Sequence, residues 1–353
     1  MQTGLRLQHC QMNLKMKNSK SERRKTMSVK FFVLLCCTTF LLPNSSAPTR
    51  AKAPKTEKIV FSSNRDGNWD IWTMNPDGSD PVNLTRDAAS DFKPTWSPTG
   101  EQILFVSFRE GGESLYLIDA DGSNIRRVLD NWQSRSNATW SPDGKRIASV
   151  NDAVLYIATI DGKSVEPVAQ TGFGSVGDPA WSPDGKEIAF IYYKPKQGYE
   201  LRLLNVETLK QTVLLGELNK YPVKSDPAWS PNGERITFAL HKFRAILNPA
   251  DAVAWQDEET IYLINRDGNR LRQLVSEKGP DALRPTWSPR GDEIIYQQEV
   301  RGTTQLFKID VRSRAKTQLT HKGSNNGADW FDPAALPVQP NVDLLTTTWG
   351  KLK

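Results

Sequence analysis

Trp181-Ser182-Pro183-Asp184-Gly185 is one of five near-copies of a single phrase. The others are Trp96-Ser97-Pro98-Thr99-Gly100, Trp140-Ser141-Pro142-Asp143-Gly144, Trp229-Ser230-Pro231-Asn232-Gly233 and Trp287-Ser288-Pro289-Arg290-Gly291. A degenerate sixth, Trp330-Phe331-Asp332-Pro333, ends the series. The steps from tryptophan to tryptophan are 44, 41, 48, 58 and 43 residues. Self-similarity at a period of ~40–50 residues with a tryptophan signature marks propeller blades or a repeat array.

Each copy leads into the same series of apolar runs. After Trp181 come Ile188-Ala189-Phe190-Ile191, then Leu201-Arg202-Leu203-Leu204, then Thr212-Val213-Leu214. Short runs rich in β-branched and aromatic residues, bounded by Gly, Pro, Asp and Asn, read as strands. Apolar residues at consecutive positions imply burial on both faces, as in a blade held between two others. Pro-Asp-Gly supplies the turn, because proline presets φ and glycine accepts φ > 0. The six tryptophans Trp96, Trp140, Trp181, Trp229, Trp287 and Trp330 are predicted to wedge between adjacent blades.

The first unit has strands at 58–61, 70–74 and 81–85 but no tryptophan motif before them. The last motif has no strands after it. The two halves are predicted to complete one another. The fold class is therefore all-β: a six-bladed β-propeller of four-stranded antiparallel blades, its ring closed by a C-terminal strand that completes the first blade. The predicted organisation is an N-terminal extension and signal peptide (1–47), a linker (48–56), the propeller (57–333) and a C-terminal tail (334–353). An insertion at 240–259 with Phe243, Ile246, Leu247 and Trp255 is a candidate lid.

The net charge of +6 is misleading. Residues 1–47 hold eight Lys and Arg against Glu22 alone, which leaves 38 basic and 39 acidic residues for the rest. A near-neutral folded part gives no electrostatic case for nucleic acid. All three cysteines (Cys10, Cys36 and Cys37) precede residue 48, so disulfides are not part of this fold. Arg23-Arg24-Lys25 and Lys30 followed by the apolar run 31–42 match a secretory signal, too short to span a bilayer. The protein is expected to be exported, periplasmic or extracellular, to touch membrane only through that signal or an anchor, and to be a monomer.

Catalytic templates are sparse. After residue 47 the histidines are His241 and His321, and no G-x-S-x-G exists. Gly172-Phe173-Gly174-Ser175-Val176-Gly177 matches a dinucleotide fingerprint but lacks the helix that its chemistry needs. One constellation stands out. Three residues before each tryptophan lie Lys93, Asn137, Asp178, Asp226, Arg284 and Gly327. In a propeller these positions ring one mouth of the central channel, and Lys93, Asn137, Asp178, Asp226 and Arg284 are the candidate ligand-binding residues. No cofactor is expected beyond a channel calcium ion shared by Asp178 and Asp226, since hard cations take oxygen ligands. The alternative is that both aspartates cap local turns.

Pro94-Thr95-Trp96-Ser97-Pro98, Pro179-Ala180-Trp181-Ser182-Pro183-Asp184-Gly185 and Pro227-Ala228-Trp229-Ser230-Pro231 resemble the repeat of TolB-type, WD40-like bacterial propellers. That resemblance spans roughly residues 57–333. It implies a six-bladed propeller exported to the bacterial periplasm that binds proteins at the cell envelope. TolB proper carries a further N-terminal α/β domain, so the expectation is a TolB-like propeller without it. The function expected is a non-catalytic scaffold binding a protein or peptide. The alternatives are a propeller lyase or glycan hydrolase using acidic residues at the channel mouth, or an accessory propeller to a separate peptidase.

Overall fold

A computed structural model gives the structure of the protein and describes residues 51–129, 138–170, 174–195, 198–215, 226–241, 259–276 and 279–335. The predicted extension and signal peptide at 1–47, the start of the predicted linker, Asn137, the body of the insertion (242–258) and the tail from 336 onward lie outside these residues, as do Gly172 and Phe173.

Six four-stranded antiparallel sheets form the ring. Blade 1 runs, from channel to rim, Asn325–Phe331, Lys58–Ser63, Asp70–Met74 and Val82–Asn83. Blade 2 is Asp91–Trp96, Gln102–Ser107, Ser114–Asp119 and Arg126–Arg127. Blade 3 is Thr139–Trp140, Arg146–Asn151, Val154–Thr159 and Val165–Gln170. Blade 4 is Ser175–Trp181, Glu187–Lys194, Gly198–Asn205 and Gln211–Leu215. Blade 5 is Ala228–Trp229, Arg235–His241, Glu259–Asn265 and Arg272–Gln273. Blade 6 is Ala282–Trp287, Glu293–Val300, Thr303–Asp310 and Lys316–Gln318. The second half of the glycine pattern, Ser175 to Gly177, is thus inner strand rather than loop. No helix among the described residues is long and apolar enough to cross a membrane.

Consecutive apolar residues serve opposite walls. In blade 1, Ile59 and Phe61 pack against blade 6 while Val60 packs against blade 2. In blade 2, Ile103 and Phe105 face blade 1, and Leu104 and Val106 face blade 3. Period-2 side-chain alternation makes this split automatic. Each fully buried large side chain contributes about 1.5–3 kcal/mol.

Every motif tryptophan joins the cluster shared with the preceding blade: Trp96 with Val60 and Ile71, Trp140 with Leu104, Trp181 with Val150, Trp229 with Ile191, Trp287 with Leu263, Trp330 with Ile295. Three of the indoles also donate Nε1–H to that blade's main chain. Trp140 reaches Thr95 O at 3.4 Å, Trp229 reaches Ala180 O at 3.0 Å and Trp287 reaches Ala228 O at 3.1 Å.

The rest of the motif fixes its turn. Ser182 Oγ donates to Asp184 Oδ1 at 2.7 Å and accepts Glu187 N–H at 2.9 Å. Burial pushes the Asp184 carboxyl up, but hydrogen bonds from Ser182, Lys186 N–H and Arg266 outweigh it and bring it down to about 2. The turn glycine is needed twice over at Gly100: φ is +70°, and a Cβ would lie 2.2 Å from the Phe331 ring.

Closure joins the two ends. Ile59 pairs with Trp330 and Ser63 with Asn325, with a bulge between Val60 and Ser62. Arg290, in the turn of blade 6, pairs with Glu57 and lies 3.6 Å from Asp332. Pairing with Asn325–Phe331 covers the edge that Lys58–Ser63 would otherwise leave bare.

Candidate functional site

The inner strands of blades 2, 4 and 6 slip register between Phe92 and Thr95, Gly177 and Ala180, and Leu283 and Thr286. The skipped pair is the residue three before tryptophan and the proline after it. Proline has no N–H for the ladder, so pairing breaks there, and a bulge re-aims the neighbouring side chain. The bulge residues have left-handed backbones: Lys93 at φ +54°, Asp178 at +49°, Arg284 at +52° and Gly327 at +60°. For the three non-glycines this costs on the order of 1 kcal/mol each, and such strain gathers at functional sites.

Two channel cavities result. One, of about 250 Å³, is lined by Pro94, Pro179, Pro227, Pro285, Thr95, Thr286 and Asp329 among others. The other, of about 430 Å³, is lined by Val176, Ile191, Tyr193, Tyr199, Glu259, Leu283 and Gln297. Lys93, Asp178, Asp226 and Arg284 line both, and so stand between them. A larger recess of about 940 Å³ on blade 5 shares no residue with either.

The four charges are interdependent. Burial, and then the neighbouring Asp226, push the Asp178 carboxyl up to about 7, against the pull of Lys93 and Arg284. Burial lowers Lys93, as does Arg284, while Asp178, Asp226 and Glu113 oppose that. Arg284 Nε lies 3.5 Å from Asp226 Oδ2. The Asp226 backbone N–H of the next blade also draws the Asp178 carboxyl down. Below the ring, burial raises the Asp329 carboxyl although it accepts Trp96 N–H at 2.7 Å, Thr95 Oγ1–H at 2.9 Å and Trp330 N–H at 2.9 Å.

Lys93, Asp178, Asp226, Arg284 and Gly327 therefore converge, while Asn137 lies outside the described residues. Among the described residues no group of three or more His, Cys, Asp or Glu is placed to hold a metal ion. Sequence reasoning missed Glu259, Tyr193, Tyr199, Gln297 and Asp329. Position relative to tryptophan was the available signal for Asp329: Thr95 and Thr139 stand at the same place, and Thr139 Oγ1 accepts Trp181 N–H at 3.4 Å. Tyr193, Tyr199 and Gln297 carry no such mark, because they project from second and third strands.

Six closed blades around a channel gated by four charged side chains define a six-bladed β-propeller with a polar axial site. The model of the TolB beta propeller domain matches residues 43–154 and 149–335, and the chain belongs to that family. Among solved structures, TolB from Acinetobacter baumannii aligns with a TM-score of 0.65 at 15% identity, over 78% of this chain and 66% of that one. The putative TolB from Agrobacterium tumefaciens aligns at 0.58 and 16% identity, over 77% and 91%. A chain of a nidogen/laminin complex aligns at 0.62 and 9% identity, over 78% and 99%. At such identities the likeness is one of fold. The chain spans about two thirds of the Acinetobacter protein's length. Comparison with curated protein sequences gives no match.

Proposed function

We propose that this protein is an exported, TolB-like, non-catalytic scaffold that binds a protein or peptide at the bacterial cell envelope through the channel mouth. The carrying observation is the set of four charged side chains around the channel, three of which, Lys93, Asp178 and Arg284, are held in strained bulges on inner strands. Side chains fixed by their own backbone lose little entropy on binding, so even a short peptide segment gains from them. The nidogen structure is that of a complex with laminin, so the fold admits a protein partner. Family membership and the basic, apolar N-terminal run support export.

The test is cross-linked capture from an envelope fraction, comparing the protein with a Lys93→Glu/Arg284→Glu variant whose fold is checked by circular dichroism. One partner should be recovered by the parent and about tenfold less by the variant, the scale of one lost charge-assisted contact. Equal recovery would remove the channel mouth from the interface.

A second reading is favoured by one observation: Asp178 is held near neutrality beside another carboxylate, a pattern used for acid–base work. Release of unsaturated or reducing sugar from an envelope polysaccharide, abolished in Asp178→Asn, would favour the enzyme.

A further inference from the structure

We propose that the constriction between the two channel cavities is a binding site for a free α-amino acid, its carboxylate between Lys93 and Arg284 over Gly327 and its ammonium against Asp178 and Asp226. The inference does not rest on the scaffold reading, since a small-molecule site and a protein-binding face fail separately.

The order of residues around the ring carries it. Blades 6, 1 and 2 present Arg284, Gly327 and Lys93, and blades 4 and 5 present Asp178 and Asp226. Positive charge thus occupies one arc and negative charge the other, the two meeting where Arg284 Nε lies 3.5 Å from Asp226 Oδ2. Between the cations there is no side chain. A Cβ placed on Gly327 would lie 3.5 Å from Lys93 Cα and 3.9 Å from Arg284 Nη1. Two cations flanking a gap suit an anion, and a guanidinium presents a fork that matches a carboxylate. On the other arc two carboxylates share a confined space: burial first, and then repulsion from Asp226, push the Asp178 carboxyl up. An ammonium with three donors relieves that repulsion.

Size and walls agree. Cavities of about 250 and 430 Å³ fit a small molecule and exclude a folded partner from the constriction itself. Val176, Ile191 and Leu283 form an apolar wall, and Tyr193 and Tyr199 stand as a ring pair 4.8 Å apart. Gln297 Oε1 is buried with no hydrogen-bond partner and lines the same cavity. A buried acceptor left unpaired is costly, so it is a natural receiver for a donor on the ligand. A calcium ion suits this ring less well, because Arg284 and Lys93 share the space with its two carboxylates.

Calorimetric titration of the full chain with phenylalanine, N-acetylphenylalanine, phenylalaninamide and calcium chloride decides the matter, followed by leucine and serine to grade the wall. Phenylalanine should bind, and each blocked analogue should bind at least ~10-fold more weakly, since each lacks one charged end. Gly327→Asn should lose the binding without a fall in melting temperature, because asparagine tolerates the left-handed backbone while filling the gap. Three outcomes overturn the proposal: no heat with any of the amino acids, an N-acetyl analogue as tight as its parent, which is the behaviour of a site for a protein C-terminus, or calcium that binds and displaces phenylalanine. Unchanged affinity in Gly327→Asn would overturn the placement of the carboxylate.

Discussion

The walls between blades and the lining of the channel are built by the same inner strands, three residues apart, yet they obey opposite rules. At the tryptophan the side chain turns into an apolar junction, and its backbone pairs in register. Three residues earlier the strand bulges, the backbone turns left-handed and a charge faces the channel. Stability therefore resides in the walls and chemistry in the bulges. A change in the channel should alter binding while leaving the ring intact, and a change in a wall should do the reverse.

The strongest way to break the contrast is to remove the wall that joins both chain ends. Truncation after Lys322 deletes the inner strand of blade 1, strips Trp330 and Phe331 from two junctions and bares the edge of Lys58–Ser63. The expected loss is on the scale of the whole folding free energy, ~5–15 kcal/mol. Thermal unfolding followed by circular dichroism should show no cooperative transition, and light scattering should show aggregates. A truncated chain that melts like the parent would mean that closure is dispensable.

Trp287→Ala removes a single wedge that lines neither channel cavity. Its indole packs with Leu263 of blade 5 and Ile294 of blade 6, and Nε1 donates to Ala228 O at 3.1 Å. The expected cost is ~3–5 kcal/mol. Urea unfolding should show a lower midpoint with an unchanged slope. Ligand affinity, measured well below the melting temperature, should hold. A matching fall in affinity would mean that wall and channel are coupled rather than separate.

That division also explains what could be read from the sequence. The walls are repetitive, so six tryptophans at regular spacing disclosed blade number, strand order and the joint first blade. Channel residues could be located by counting back from tryptophan, because the bulge falls at one position in every blade where register shows it. Their physical state could not be read. Asp178 and Asp226 each stand in an Asp-Pro turn signal, which carries no mark of the charges that share the channel with them. Tyr193 and Tyr199 reach the channel because blade 4 extends its central hairpin to Lys194 and Gly198, while Gln297 stands opposite Leu283 where blade 2 has Val106 opposite Phe92. Hairpin length sets the tyrosines' reach, and no motif announces it.

The smallest effect sharpens the comparison most, because it reverses the sign expected of a wall. Asp178 stands at about 7 in the folded chain against ~3.9 unfolded. A folded value raised above the unfolded one gives stability that is complete below about pH 4 and lost as pH rises through about 7. Asp178→Asn stays neutral throughout and suffers no such loss. The full shift would correspond to about 4 kcal/mol. Water in the channel, together with the attraction of Lys93 and Arg284 that asparagine forgoes, reduces the expected gain to about 1 kcal/mol near pH 8, falling to nothing near pH 4. Melting temperatures across that range should show the variant ahead by roughly 2–4 °C at the alkaline end and level with the parent at the acid end. If the variant is instead less stable near pH 8, attraction to Lys93 and Arg284 outweighs burial and the repulsion from Asp226. The channel would then be a structural ion network, governed by the same rule as the walls.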